Sequence, residues 1–271
     1  MIEPGPSRTE RSLRAVAAFA AALSLPLAVP EAARAADDEI QVYTDDIRAK
    51  GEHGLELHSN YVTQGRLAPD YPGEQPPGRV LRVTPEFSFG LGNNWDMGFY
   101  LPYSADKDTH TTFADGGKLR VKYLINNQRL GASEFYGLNL EVARASLRTS
   151  PAFWQTELRS IVGMRRGPWL FAMNPILSTP LSHNVAGGST VDFTLDFKAS
   201  REVGGGLALG VEHYAELGPV RHLTFGPGSG QSTFAALDYV GRNWDINFGV
   251  GHGWTDSVDK RVVKMIVGLP F

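Results

Sequence analysis

Val263-Lys264-Met265-Ile266-Val267-Gly268-Leu269-Pro270-Phe271 is an apolar alternation that carries the chain to an aromatic last residue. Side chains of an extended segment alternate with period two, so Val263, Met265, Val267, Leu269 and Phe271 share one face while Lys264 and Gly268 take the other. Soluble domains usually finish in a polar, frayed tail. A terminal strand with one oily face and a lysine on the other is instead the pattern of a strand that closes a membrane barrel, with lipid outside and a polar interior. Pro270 is its one irregular member, since it removes a ladder donor and is tolerated only where that N–H would be unpaired.

Reading outward from this strand finds the same period in eleven further segments. Leu81, Val83, Pro85, Phe87 and Phe89 oppose Arg82, Thr84, Glu86 and Ser88; Trp95, Met97, Phe99, Leu101 and Tyr103 oppose Asp96 and Gly98. Leu119, Val121 and Tyr123 oppose Lys118, Arg120 and Lys122, and Val191, Phe193, Leu195 and Phe197 oppose Asp192, Thr194, Asp196 and Lys198. Leu207, Leu209 and Val211 stand against Glu212, and Trp244, Ile246, Phe248 and Val250 against Asp245 and Asn247. Less regular segments fall near 54–64, 133–145, 153–164, 168–177 and 233–240.

The connections alternate in length. Short ones, such as Gly92-Asn93-Asn94, Arg165-Arg166-Gly167, Gly204-Gly205 and Gly241-Arg242-Asn243, separate longer loops near 65–78, 104–117, 146–152, 178–189, 218–232 and 253–259. The expected fold is therefore all-β: a closed antiparallel up-and-down transmembrane β-barrel of about twelve strands over 54–271, with short periplasmic turns and long extracellular loops, residing in the cell outer membrane. Gly92-Asn93-Asn94-Trp95-Asp96-Met97-Gly98-Phe99 recurs as Gly241-Arg242-Asn243-Trp244-Asp245-Ile246-Asn247-Phe248, with a looser copy from Gly167. Each tryptophan is the first outward residue after a short turn, which places Trp95, Trp169 and Trp244, with Phe271, in an aromatic girdle at the periplasmic interface.

The start of the chain fits export. Arg8, Arg11 and Arg14, an apolar stretch from Ala15 to Val29 and the Ala33-Arg34-Ala35 cleavage pattern read as a Sec signal peptide over 1–35. Its removal leaves 22 basic against 26 acidic residues, which argues against nucleic acid as a partner. Cysteine is absent, which excludes disulfides and thiolate chemistry. The charged segment 36–53 precedes the first strand and reads either as a periplasmic tail or as a plug folded into the lumen.

With lipid outside, the charges face inward. Arg82, Lys118, Arg120, Lys122 and Arg159 are the expected lumen-lining bases, interleaved with Glu86, Glu141 and Glu157; Asp192, Asp196, Glu212, Glu216, Asp238 and Asp245 dominate the opposite half of the wall. Such a separation sets a transverse field across the lumen, unless the charges simply pair. Hairpin counting brings Glu141 beside Glu157, with Lys118 and Arg159 close enough to neutralise them, and brings Glu212 near Asp238 with no cation between. Twelve strands leave a narrow lumen, between the filled interior of eight and the open channel of sixteen.

Tyr43-Thr44, Lys50-Gly51 and Leu55-Glu56-Leu57, then Val83-Thr84-Pro85-Glu86-Phe87-Ser88-Phe89-Gly90, then Lys118-Leu119-Arg120-Val121-Lys122-Tyr123, resemble the outer-membrane family labelled for the meta-cleavage pathway of phenol degradation. Lys118 stands where that family usually carries an acid. The resemblance implies a twelve-stranded barrel that takes up small solutes, aromatic or hydrophobic ones among them, by a passive route. The partners it implies are outer-membrane lipid, the barrel-assembly machinery acting on the closing strand, and the solute.

The alternatives are a non-conducting structural or adhesive barrel and a lipid-modifying enzyme. No catalytic residue, cofactor or metal site is expected. His213 faces outward, but its expected neighbours, Val191 and Phe193 on one side and Ala235 and Leu237 on the other, offer no nucleophile, and His58 and Ser59 point to opposite faces. Asp106, Asp108, His110 and Asp115 read as a solvated loop that lacks the glycine and distal glutamate of a calcium loop.

Overall fold

The structure, a computed structural model, describes residues 39–107, 110–127 and 131–270; the expected leader, residues 36–38 and Phe271 lie outside them. The described strands are β1 (His53–Gln64), β2 (Val80–Gly92), β3 (Trp95–Tyr100), β4 (Tyr103–Asp106), β5 (Thr111–Ala114), β6 (Gly116–Asn126), β7 (Glu134–Ala145), β8 (Trp154–Arg166), β9 (Trp169–Pro180), β10 (Asp192–Gly204), β11 (Leu207–Pro219), β12 (Gly230–Val240), β13 (Asp245–Gly253) and β14 (Arg261–Pro270). All pair antiparallel, and β1 pairs with both β2 and β14, which closes the wall and removes its edges.

Fourteen segments make twelve staves, because two staves are each interrupted once. β3 and β4 both run along β2, broken at Leu101-Pro102, where proline has no N–H to offer the ladder. β5 continues into β6 across Asp115 and Gly116. Gly116 has φ +143°, and a Cβ there would lie 1.9 Å from the Arg144 carbonyl oxygen, so the kink admits only glycine. Half of the stretch expected as a loop at 104–117 is thus a hairpin that extends the wall: Tyr103–Asp106 pairs with Thr111–Ala114. Its Thr111-Thr112-Phe113-Ala114 arm lacks alternation, and only the register carried over from β2 marks it as strand.

The closing strand pairs as its alternation requires, from Tyr61 opposite Val263 to Leu55 opposite Leu269, with Pro270 at the rim opposite Gly54. At the short-turn end Asn93 and Asn94 both adopt positive φ, 52° and 62°, the two-residue turn whose twist matches the strands it joins.

Exposure is inverted relative to a soluble protein. Leu119, Leu140 and Val250 are 53%, 50% and 52% exposed on the outside, while Glu86, Glu212 and Lys264 are 2%, 1% and 2% exposed on the inside. Only an apolar medium makes that arrangement favourable. Trp95, Trp169 and Trp244 face outward at the short-turn end, Trp95 beside Tyr123 at 4.6 Å and Trp244 beside Tyr239 at 5.6 Å.

Among the described residues, apolar side chains inside the barrel gather in two clusters. Leu124, Phe135, Ile161 and Ala172 gather near the short-turn end with Val42 and Tyr43; Val62, Phe234 and Val262 gather near the long-loop end with Ile40 beside them. Gly163 makes room for the first cluster, since a Cβ there would meet the Phe135 ring at 2.2 Å. Gly163→Ala is expected to destabilise the barrel by about 1–3 kcal/mol, read as a lower urea midpoint for the refolded protein in lipid vesicles.

Candidate functional site

The interior is organised around a strap. Residues 39–50 descend through the lumen from mid-height to the short-turn end, and a turn at Lys50-Gly51 passes the chain into β1. The wall holds this strap largely by its backbone. Lys264 Nζ donates to the Ile40 carbonyl at 2.9 Å and Arg159 Nη1 to the Gln41 carbonyl at 2.8 Å. The Asn174 amide clamps Tyr43 from both sides, accepting from its N–H at 2.6 Å and donating to its carbonyl at 3.1 Å. An extended segment without a sheet partner leaves its backbone groups unsatisfied, and these three side chains supply the missing partners.

Side chains of the strap complete the fit. Glu39 pairs with Lys118 at 3.1 Å, Asp45 with Arg165 at 2.6 Å and Arg48 with Glu56 at 3.0 Å. The Tyr43 hydroxyl donates to Glu141 at 3.1 Å and lies 3.0 Å from the Tyr100 hydroxyl, while the Arg159 guanidinium sits 4.5 Å from the Tyr43 ring centre. Near the rim, Gly51 N–H donates to the Gly90 carbonyl and Gly90 N–H to the Glu52 carbonyl. A Cβ on Gly90 would lie 1.8 Å from the Ala49 carbonyl oxygen, so β2 has no side chain where the strap crosses it.

The structure places the charged residues singled out from the sequence as follows. Arg120 is buried between Glu86 (2.6 Å) and Asp96, with the Tyr100 hydroxyl at 2.9 Å. Lys122 lies 3.6 Å from Asp96, and Arg82 is 3% exposed. Glu141 and Glu157 stand directly opposite each other on β7 and β8; Lys118 reaches Glu141 at 3.5 Å and Arg159 reaches Glu157 at 3.0 Å and Asp196 at 3.7 Å. Asp192 and Glu216 sit near the long-loop end, and Asp245 is exposed at the short-turn rim.

Two expectations need correcting. Glu212 and Asp238 do have a cation between them: Lys198 Nζ is 3.1 Å from Glu212 and 2.8 Å from Asp238, Lys264 also pairs with Glu212, and the Asn247 amide donates to both carboxylates. Glu212 faces Phe234 across the β11–β12 ladder, with Asp238 four positions further along, so hairpin counting brought them too close and overlooked β10. Lys198 and Lys264 also fill in the charge separation expected between the two halves of the wall. The second correction concerns His213, whose neighbours are Phe197 and Thr233. Thr233 does supply a hydroxyl, with Oγ1 2.9 Å from His213 Nδ1 and also accepting from Trp254 Nε1 at 2.9 Å. The slips have two causes: β10 runs on to Gly204, with a bulge at Glu202/Gly204 that shifts its register on β11, and β12 begins at Gly230, opposite Glu216, before the alternation read from 233.

Sequence reading missed one cluster. β1–β2 pairing sets Glu56 opposite Glu86 and brings His58 Nε2 within 3.1 Å of Glu86, an arrangement of ligand-type atoms that all lie within 4.8 Å. Arg48 and Arg120 already occupy the two carboxylates, so the charge that would attract a metal ion is compensated by guanidinium. The alternation marked these residues as inward, but only the register could have brought them together.

A cavity of about 300 Å³ opens at the long-loop end. Glu39, Ile40 and Gln41 of the strap, with Lys118, Glu141 and Arg159, border it below; loop residues 149–152 and the ends of β7 to β11 form its sides. Seven carboxylates and four cationic side chains line it. A smaller cavity of about 80 Å³ lies beside it, bounded by Phe234, Val62 and Asp259. Burial raises the Asp259 carboxyl, in the loop beside the smaller cavity, from its ordinary value.

No protein-family model matches the chain, and no curated protein matches it. Among solved structures it is similar to the COG4313 outer membrane channel from Pseudomonas putida F1, with TM-score 0.54 and 10% identity over 86% of this chain and 100% of that one. It is also similar to the NanC porin (TM-score 0.52, 10% identity, 80% and 98%) and to the KdgM porin (TM-score 0.52, 10% identity, 80% and 99%). At this identity the likeness is one of fold: the chain has the closed barrel of outer-membrane proteins.

Proposed function

We propose that this barrel resides in the outer membrane and passes small solutes, entering from the cell exterior through the cavity at the long-loop end. The observation that carries the reading is the combination of a lipid-facing wall with a polar cavity open at that end. Its excess of carboxylates favours small cations and polar neutral solutes over anions. Aromatic and hydrophobic solutes enter the reading through the three stretches that resemble the phenol-degradation family, and liposome swelling with phenols, amines and sugars ranks the classes.

Purified protein in a planar bilayer under a KCl gradient is expected to give reproducible channels with a cation-selective reversal potential. Anion selectivity would refute the assignment of the cavity as the entry. One observation favours a second reading, a non-conducting structural barrel: the strap fills the short-turn half of the lumen. Absence of channels both in the intact protein and in one lacking the strap would decide for it. Against a lipid-modifying enzyme, the pair of His213 and Thr233 has Phe197 on its other side, with no carboxylate or amide among the described residues to orient the imidazole.

A further inference from the structure

The outer wall is apolar along most of its height, but at the long-loop end one row of it is not. His213 on β11 pairs with Thr233 on β12, Thr233 with His252 on β13, and His252 with Arg261 on β14. These four outward positions stand directly above Val211, Ala235, Val250 and Val263 and so mark the upper edge of the lipid-facing band. Trp254 lies at the same edge, packed edge-on against His252 at 4.7 Å and hydrogen-bonded to Thr233.

The row continues past β14. Thr63 on β1 donates to the Arg261 carbonyl at 3.1 Å, and Tyr61, one outward position lower, carries Lys107 Nζ 4.2 Å from its ring centre. Lys107 follows β4, whose Ala105 pairs with Leu81 and through it with Tyr61, so Lys107 and Arg261 reach one level from either side of β1. Both are exposed, and neither has a carboxylate partner among the described residues. Asp256, in the loop above, is paired with Lys260 at 2.8 Å.

Cations with no carboxylate partner among the described residues, at the edge of an apolar band and with imidazole, hydroxyl and indole donors beside them, match one ligand chemistry. A phosphate ester on an amphiphile places its anion at that height while its chains lie on the valines below. We infer that the outer face of β11–β14 and β1 binds the phosphate groups of a phosphorylated outer-leaflet glycolipid. The site rests on the reading that the long loops face the cell exterior, which protease digestion of those loops on intact cells reports separately.

The test is titration of the purified full-length protein in detergent with lipid A, with enzymatically dephosphorylated lipid A and with phosphatidylglycerol, followed by native mass spectrometry. Intact lipid A should be retained, and both controls should bind at least about tenfold more weakly. The double variant Lys107→Gln, Arg261→Gln removes two exposed charges, with the Lys107 contact on the Tyr61 ring, and should weaken lipid A binding by about thirtyfold, the effect of two membrane-surface cations. Equal binding of the dephosphorylated lipid, equal binding of phosphatidylglycerol, or a double variant that binds like the parent would each overturn the assignment. Channel activity enters none of these readouts, so failure of the channel reading and failure of this site are distinguishable.

Discussion

Deleting residues 39–50 while keeping residues 1–38 is expected to raise single-channel conductance several-fold. Twelve strands enclose a lumen between the filled interior of eight and the water-filled channel of sixteen, so whatever lies inside decides the passage. Here the strap crosses it, touching β1, β2, β3, β6, β7, β8, β9 and β14. Removing it takes away the backbone that Asn174, Arg159 and Lys264 bind and empties the space around Tyr43. Two milder variants should move conductance the same way. Asn174→Ala removes both hydrogen bonds that clamp Tyr43, and Gly90→Val places a side chain where the Ala49 carbonyl passes. The deletion also leaves Lys118, Arg165 and Glu56 without their strap partners, so a lower urea midpoint should accompany the larger conductance. Unchanged conductance in all three variants would show that the strap is not what limits flow.

Arg120→Met should be the most destabilising single substitution proposed for the wall, at about 3–5 kcal/mol. The guanidinium bridges Glu86 and Asp96, whose side chains are 3% and 1% exposed, and also donates to the Tyr100 hydroxyl. Methionine preserves much of the volume but leaves two buried carboxylates facing each other. His58 beside Glu86 and Lys122 beside Asp96 cover part of the loss, which places the expectation toward the lower end of the range. Adding Glu86→Gln and Asp96→Asn should recover most of it, because the penalty comes from uncompensated charge rather than lost packing. Urea unfolding in lipid vesicles, followed by tryptophan fluorescence, gives both numbers; equal stability of Arg120→Met and the parent would mean that water reaches the cluster.

Particular residues show how far the sequence could be read. Val263 to Phe271 announced its face, its lysine and its place in the closing ladder, and Tyr61 does sit opposite Val263. Glu141 and Glu157 were paired correctly by counting back from the loop at 146–152, because β7 and β8 are regular on both sides of it. The same counting failed across β10, β11 and β12, where the bulge at Glu202/Gly204 shifts β10 against β11 and β12 begins at Gly230, ahead of its readable alternation, so that Lys198 and Thr233 were not brought beside Glu212 and His213. Gly98 read as a small residue on the polar face; in the fold a Cβ there would meet both Arg120 and Glu86 at 2.8 Å, so it makes room for that ion pair.

What the sequence determined by itself was the barrel, its twelve staves, the two faces of each stave and the gathering of the long loops at one end. Those features are written locally: lipid on one side and polar interior on the other impose a period of two on every strand, and turn chemistry sorts the connections one by one. The path of the strap, the partners of each buried charge and the basic row on the outer wall came only from the tertiary structure. They depend on the register accumulated round a closed wall, which brings Lys264 to the carbonyl of Ile40 across 224 positions of chain, and no local pattern carries that information.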